Sequence, residues 1–155
     1  MGSVDGDVKM IRAIAAADRT AWTRLWTGYL TFYETTLPAA VYDETWRRLN
    51  DPAVPMFGAL AVDAGGAPVG LVHWLYHRTF WAIGDNCYLQ DLYVDPAVRG
   101  GGHGRALIEH VAVAARAHQA TRLYWNTHET NATARRLYDA VASRSGFIQY
   151  RKGLE

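Results

Sequence analysis

The apolar positions of the chain fall into short β-prone runs separated by longer stretches at helical spacing. VKMIRAIA (8–15) predicts a first strand. Asp18 is placed to cap a helix in which Trp22, Leu25, Trp26, Tyr29, Leu30 and Tyr33 recur at helical spacing. PAAVYDETWRRLND, opening on Pro38, predicts a second helix that ends before Pro52. Two β-prone runs around the turn residues DAGGAP, within FGALAVDAGGAPVGLVHWLYHRTF, predict a hairpin. NCYLQDLYVDP (86–96) predicts a further strand, stopped at Asp95-Pro96. Leu107, Ile108, Val111, Ala114 and Ala115 then share one face of a helix. TRLYWNTH predicts a strand, and TNATARRLYDAVASRS a helix with Ala134, Leu137, Tyr138, Val141 and Ala142 on one stripe. Gly146 is expected to end that helix, and FIQYRKGLE to close the chain as a strand. The order β-α-α-β-β-β-α-β-α-β predicts one α/β (α+β) domain over residues 1–155 with an antiparallel meander in its sheet. It is not the strict βαβα alternation of a doubly wound fold.

Composition narrows the classes of function. A chain of 155 residues has the length of one ordinary domain, and half of it is apolar against a fifth charged, a globular balance. The net charge is +1 with both signs interspersed, which lacks the broad basic footprint of a nucleic-acid binder, so no nucleic-acid partner is expected. Cys87 is the single cysteine, which excludes an internal disulfide and a cysteine-based zinc cluster, and no metal is expected. MGSVDGDVKMIRAI holds no apolar core of signal-peptide length, and no later run could span a bilayer. A cytoplasmic protein without membrane attachment is expected. Residues 1–7, small and polar, are expected to be flexible.

VDPAVRGGGHGRALIEH (94–110) places four glycines in five positions just before a helix. Glycine costs entropy to order, so such a cluster suggests that something approaches the backbone closely. A dinucleotide fingerprint fails, because from Gly100 the sixth residue is Arg105 and from Gly102 it is Leu107. A triphosphate loop fails too, because GHGRA lacks the lysine and the metal-binding hydroxyl. What is present is Arg99-x-x-Gly102-x-Gly104 between a strand and an amphipathic helix: main-chain N–H groups converging at the positive end of that helix, with Arg99 or Arg105 to add charge-assisted bonds. The segment resembles the cofactor motif Q/R-x-x-G-x-G/A of the GNAT superfamily, the acetyl-CoA-dependent N-acetyltransferases. DLYVDPAVRG before it, RALIEHV after it and the order of elements resemble that family over nearly the whole chain.

The resemblance implies a GNAT fold with acetyl-CoA as acetyl donor. It implies that pantetheine pairs with the edge of the strand at Leu92, Tyr93 and Val94, and that the loop Gly100, Gly101, Gly102, His103, Gly104 and Arg105, with Arg99, takes the pyrophosphate. Acetyl transfer needs a neutral amine, donors for an oxyanion and a proton for the departing thiolate. The family pattern N-x-x-x-x-x-x-Y is matched by Asn131 and Tyr138, which implies Tyr138 as the acid and Asn131, with Ala134, at the cofactor arm. From position alone Tyr138 could equally be a packing residue, and Asn131 could merely start the helix. Relatives that acetylate polyamines carry L-E-D-x-Y-V where this chain has LQDLYV; Gln90 cannot accept a proton, so that glutamate's role does not carry over. Asp91 beside it points to the other face unless the strand bulges. Glu34, His77, His128 and Glu129 are further candidates for the base, and water or an already neutral amine would serve as well.

The aromatic-rich WTGYLTFYE and HWLYHRTFW, with Glu34 and Asp85 nearby, suit a small cationic amine, although most of these rings, Trp22 and Trp26 among them, are expected in the core. Acceptor contacts are therefore expected from Tyr33, Glu34, His77, Gln90, Asp91 and His128. The subgroup resembled acetylates polyamines, free amino acids or histone tails, and a homodimer is implied. Direct attack in a ternary complex is expected, because Cys87 lies upstream of the expected thioester position. A protein-lysine acetyltransferase and a non-catalytic acyl-CoA-binding domain are the alternatives; Gln90 keeps the second open and Tyr138 argues against it.

Overall fold

The computed structural model describes residues 9–155; the stretch 1–7 and Val8 of the expected first strand lie outside the described residues. The chain divides into two compact units, the first ending at Trp125 and the second starting at Asn126.

The first unit is built on a sheet of β1 (Met10–Ala13), β2 (Met56–Val62), β3 (Pro68–His77), β4 (Asn86–Val94) and β5 (Arg122–Tyr124), in that spatial order. The first four strands are antiparallel, and β5 runs parallel to β4, so the sheet is mixed and largely antiparallel as expected. The β2–β3 turn is the DAGGAP stretch: Asp63 Oδ1 accepts from the N–H groups of Gly65 and Ala67, both at 2.9 Å, and Gly66 takes φ 85°.

Successive residues of a strand face opposite sides. His73 meets Trp22 of α1 (Arg19–Phe32), whereas Trp74 meets His110 of α3 (His103–Ala117). α1 and α2 (Ala39–Leu49) thus cover one face of the sheet and α3 the other, α2 contributing Tyr42 and Trp46 to the aromatic cluster around Trp22. The helical spacing of α1 does what the sequence predicts: Trp22, Leu25, Trp26 and Leu30 are buried against Leu60 and Leu71. Burying side chains of this size contributes about 1.5–3 kcal/mol each. Leu107, Ile108, Val111 and Ala115 do the same for α3.

Asp18 sits at the N-cap position of α1, but its side chain makes no cap, contrary to expectation. Its carboxylate is taken by the Arg12 guanidinium in a two-pronged pair at 2.7 and 2.8 Å and by the Ala15 N–H at 2.8 Å, which ties β1 to the entry of α1. Among the described residues no helix is long and apolar enough to cross a membrane.

The second unit contains α4 (Ala132–Val141), shorter than the 130–145 expected. Asn131 starts it, its Oδ1 accepting from the Ala134 N–H at 3.4 Å. The helix stops at Ala142 in an extended conformation, four residues before Gly146, so Gly146 (φ 84°) does not end it. Residues 147–155 form no strand, correcting the closing strand expected there. A strand exists only with a partner for its main-chain groups, and Phe147, Ile148 and Tyr150 stay exposed.

Candidate active site

β4 pairs with β5 only through Asn86, Cys87 and Tyr88, against Arg122, Leu123 and Tyr124. From Leu89 to Val94 no strand among the described residues occupies that side, so the second half of β4 presents a free edge. Asp95 then closes the strand: its side chain accepts from the Ala97 N–H at 3.0 Å, turning the chain through residues 96–98. The glycines follow. Gly100 and Gly102 adopt φ of 85° and 89°, a conformation that suits glycine and disfavours any side chain. A Cβ on Gly100 would meet nothing within 4 Å, and one on Gly102 only Lys9 Cε at 3.9 Å, so the loop faces open space. Gly102 is the N-cap of α3 and supplies no side chain, which leaves the first N–H groups of a 15-residue helix pointing out of its positive end.

Arg99 folds back on the strand, its Nε donating to the Val94 carbonyl at 3.2 Å and its guanidinium lying 5.9 Å from the centre of the Tyr93 ring. Arg105 is exposed. The His103 side chain is buried, so what this residue offers to the loop is its main chain.

The face of the sheet under α1 carries the polar groups. The β3–β4 register shifts at one point: His73 faces Asp91, yet Trp74 faces Leu89. Gln90 is the extra residue, and this bulge is the condition under which Asp91 turns toward α1. Asp91 Oδ2 lies 2.8 Å from His73 Nδ1, and Trp22 Nε1 donates to His73 Nε2 at 2.9 Å. All three side chains are buried. Tyr29 of α1 lies over the same place, donating to the Gln90 carbonyl at 3.4 Å. Burial first, and then the charge and hydrogen bond of Asp91, push its phenol well above its ordinary value. Asp91, Gln90 and His73 border a cavity of about 90 Å³ whose other walls include Trp26, Thr45 and Phe57.

An aromatic row extends from this point. Tyr33 packs on Tyr29 with ring centres 4.9 Å apart, and Tyr88 stacks on Tyr124 at 4.9 Å with the planes nearly parallel. His77 Nδ1 meets the Arg78 carbonyl at 2.8 Å, an acceptor only, so Nδ1 carries a hydrogen, and Nε2 lies 2.8 Å from the Tyr124 hydroxyl. Of the acceptor contacts expected in this unit, Gln90 and Asp91 share the cavity, and Tyr33 belongs to the aromatic row with His77 at its far end. Glu34 is exposed just past α1, at φ 55°.

Of the site residues expected in the second unit, Ala134 and Tyr138 lie on α4 and Asn131 caps it. Asn131 commits its amide locally, Nδ2 donating to Thr127 Oγ1 at 3.3 Å beside the cap to Ala134. Tyr138 is half-buried on the apolar stripe of the helix, and His128 is exposed ahead of it. Cys87 is buried, and burial pushes its thiol up to about 11, so it is no thiolate at neutral pH.

His73, Tyr29, Tyr88 and Tyr124 were not singled out from the sequence. The available signal was a histidine inside the otherwise apolar run GLVHWL, directly across the meander from LQDL.

Residues 19–142 match the model of the Acetyltransferase (GNAT) family. A D-amino-acid N-acetyltransferase of Saccharomyces cerevisiae is 37% identical over 144 residues, covering 92% of this chain and 89% of its own. A thialysine N-epsilon-acetyltransferase of Caenorhabditis elegans is 34% identical over 77 residues, half of this chain and 48% of its own. Among solved structures, an aminoglycoside acetyltransferase from an uncultured soil metagenomic sample superposes with a TM-score of 0.79 at 15% identity, covering 99% of this chain and all of that one. At that identity the likeness speaks for the fold alone. A strand that leaves its neighbour halfway, a glycine loop at the head of α3 and a family match across most of the sequence converge: this chain belongs to the GNAT acetyltransferases, a family of enzymes.

Proposed function

We propose that the protein moves the acetyl group of acetyl-CoA to the primary amine of a small molecule, of the amino-acid or polyamine class, by direct attack of the amine. The observation that carries this reading is the edge of β4, unpaired from Leu89 and running straight into the glycine loop and the first turn of α3. The loop fits a diphosphate, because Gly100 and Gly102 leave open space where side chains would stand and the leading N–H groups of α3 lack a side-chain cap. Main-chain groups of Leu92, Tyr93 and Val94 are assigned to pantetheine, and those of residues 100–105 to the diphosphate. Arg99, whose Nε is on Val94, keeps its terminal nitrogens for charge. Asn131 and Ala134 are assigned to the cofactor arm.

Bound acetyl-CoA supplies the acyl group as a thioester. The new C–N bond forms as the C–S bond breaks; Tyr138 gives its phenolic proton to the departing sulfur, and the proton shed by the acetylated nitrogen returns through water to the tyrosinate. Gln90 has no role as base; the amine arrives as its ammonium ion and loses that proton to water before it attacks. The acceptor is received on the α1 side of the sheet, by Asp91 and the ring of Tyr33, with His77, Glu34 and His128 as outer contacts. The amino-acid class is favoured by the yeast relative, which is named for D-amino acids and is similar over nearly all of both chains.

Release of free thiol from acetyl-CoA, measured with D-phenylalanine, D-lysine, thialysine and spermidine, tests the reading. Tyr138→Phe is expected to lower kcat by about a hundredfold with coenzyme A affinity within about twofold of wild type. Full kcat in that variant removes the acid assignment, and folded protein that does not bind coenzyme A in calorimetry overturns the whole reading.

A further inference from the structure

We propose that His73 is a positioning residue: anchored by Trp22, it holds Asp91 so that a fixed carboxylate meets the ammonium group of the acceptor in the cavity beside Gln90. The inference rests on the amine-acetylating reading of the site. Indole nitrogen only donates, so His73 Nε2, 2.9 Å from Trp22 Nε1, is an acceptor, and the hydrogen of the ring sits on Nδ1, 2.8 Å from Asp91 Oδ2. Both ring nitrogens are therefore spent inside the core, and His73 has no lone pair left for an incoming amine.

Asp91 is different. A carboxylate offers about four acceptor positions, and the groups beside it, the His73 ring that donates to it and the Tyr29 phenol, are uncharged and leave its charge uncancelled. It borders a cavity whose walls include Trp26, Leu49, Phe57 and Leu75, where an unmet carboxylate is costly and an ammonium ion is favoured. The aromatic row of Tyr29, Tyr33 and Tyr88 beside it adds faces that attract a cation. Without the clamp on Nδ1 the carboxylate can rotate, and the acceptor amine loses its fixed point of attachment.

Steady-state kinetics at saturating acetyl-CoA on the same amines provides the test. His73→Leu removes the donor to Asp91, whereas His73→Asn keeps an amide nitrogen near the place of Nδ1. His73→Leu is expected to raise the acceptor KM about tenfold, with acetyl-CoA KM within about twofold, and His73→Asn to recover most of the loss. In the Asp91→Asn background, His73→Leu should change the acceptor KM by less than about twofold, because the residue acts through the missing charge. Should His73→Leu fold poorly, Trp22→Phe removes the anchoring N–H together with part of the buried ring, and its rise in acceptor KM of about threefold should likewise vanish in the Asp91→Asn background, which a mere loss of packing would not do. An equal cost in both backgrounds, or a matching rise in acetyl-CoA KM, overturns the inference. Wild-type protein that turns over none of these amines overturns the proposed function together with it, while turnover with additive variants overturns this inference alone.

Discussion

His73 and Asp91 stand opposite each other across β3 and β4, Nδ1 and Oδ2 2.8 Å apart, because Gln90 is looped out of the ladder. Strict alternation would put Leu89 and Asp91 on one face. The bulge separates them: Leu89 faces the α3 side with Trp74, and Asp91 faces α1 with His73. A bulge also bends and twists its strand, and β4 parts from β5 at Tyr88, two residues before this one. The bulge thus puts Leu89 and Asp91 on opposite faces and lies just past the point where β4 leaves β5.

Deleting Gln90 separates those two features. The register on either side of the bulge becomes continuous, so His73–Asp91 and Trp74–Leu89 both survive. What is lost is the bend. The shortened strand is expected to fold, to keep pairing with β5 beyond Tyr88, and to bind coenzyme A at least about tenfold more weakly as the edge closes. Hydrogen exchange at the amides of Asp91–Val94, slower in the deletion than in wild type, is the structural readout. Unchanged exchange with unchanged affinity would show that the bend does not open the edge.

Gly28 makes a second prediction, one of sign. It lies within α1, where alanine is normally better by about 1 kcal/mol. A Cβ there would stand 2.5 Å from the Tyr93 hydroxyl, whose ring lies across the helix. Gly28→Ala is therefore expected to destabilise the protein, by about 1–3 kcal/mol. In a Tyr93→Ala background the same change should stabilise by about 1 kcal/mol. Thermal or denaturant melts of the four proteins decide it, and the same sign in both backgrounds refutes the packing account.

These two sites illustrate what the sequence could and could not disclose. The helical stripe of α1 correctly marks Trp22, Leu25, Trp26 and Leu30 as core. The same stripe includes Tyr29 and Tyr33, whose rings line the proposed acceptor region, because periodicity fixes a face and not what the face meets. The glycine loop at the head of α3 was legible as a loop from six residues, since its geometry is main-chain and local. Asp91 was among the expected acceptor contacts, but its direction was not legible, because it depends on a bulge that only pairing with β3 reveals. Asp18 was misjudged as a cap for a similar reason: Arg12, on a different element, takes its carboxylate. The closing strand failed because a strand is defined by a partner, and alternation at Phe147, Ile148 and Tyr150 supplies none.

The Arg12–Asp18 pair predicts an acid limb in stability. The hydrogen bond from Arg12 and, after it, the Ala15 N–H and the charge of Arg12 outweigh burial and hold the Asp18 carboxyl below its ordinary value. A group with a depressed native pKa stabilises the fold above its unfolded value, about 4, and loses that contribution as pH falls through the native value. The stability difference between wild type and Asp18→Asn should therefore be constant from pH 5 to 7 and shrink as pH drops below about 4. Urea melts across that range test it, and a difference that grows on acidification contradicts the assignment.

Gly102 and Gly66 form a natural comparison. Both hold positive φ, 89° and 85°, and neither would bring a Cβ into a clash. Alanine at either place should cost about 1–2 kcal/mol of backbone strain. Only Gly102→Ala places a methyl group where the diphosphate is proposed to sit, so only it should weaken coenzyme A binding, by about tenfold or more. Equal coenzyme A affinity in the two variants would move the diphosphate off this loop.

Cys87 tests whether the acetyl group rests on a cysteine of the protein. Its register partner on β3 is Tyr76, whose ring stacks on His118 beyond the end of α3, so the thiol belongs to the face opposite the cavity at Asp91. With the thiol near pKa 11, only about one molecule in a thousand carries a thiolate at pH 8. Iodoacetamide should therefore label native protein at least about a hundredfold more slowly than unfolded protein. Cys87→Ala should keep kcat within about twofold and lose about 1 kcal/mol of stability from the vacated core. A variant that folds but no longer transfers acetyl groups would instead require an acyl-cysteine step. Direct attack on the thioester would then be ruled out.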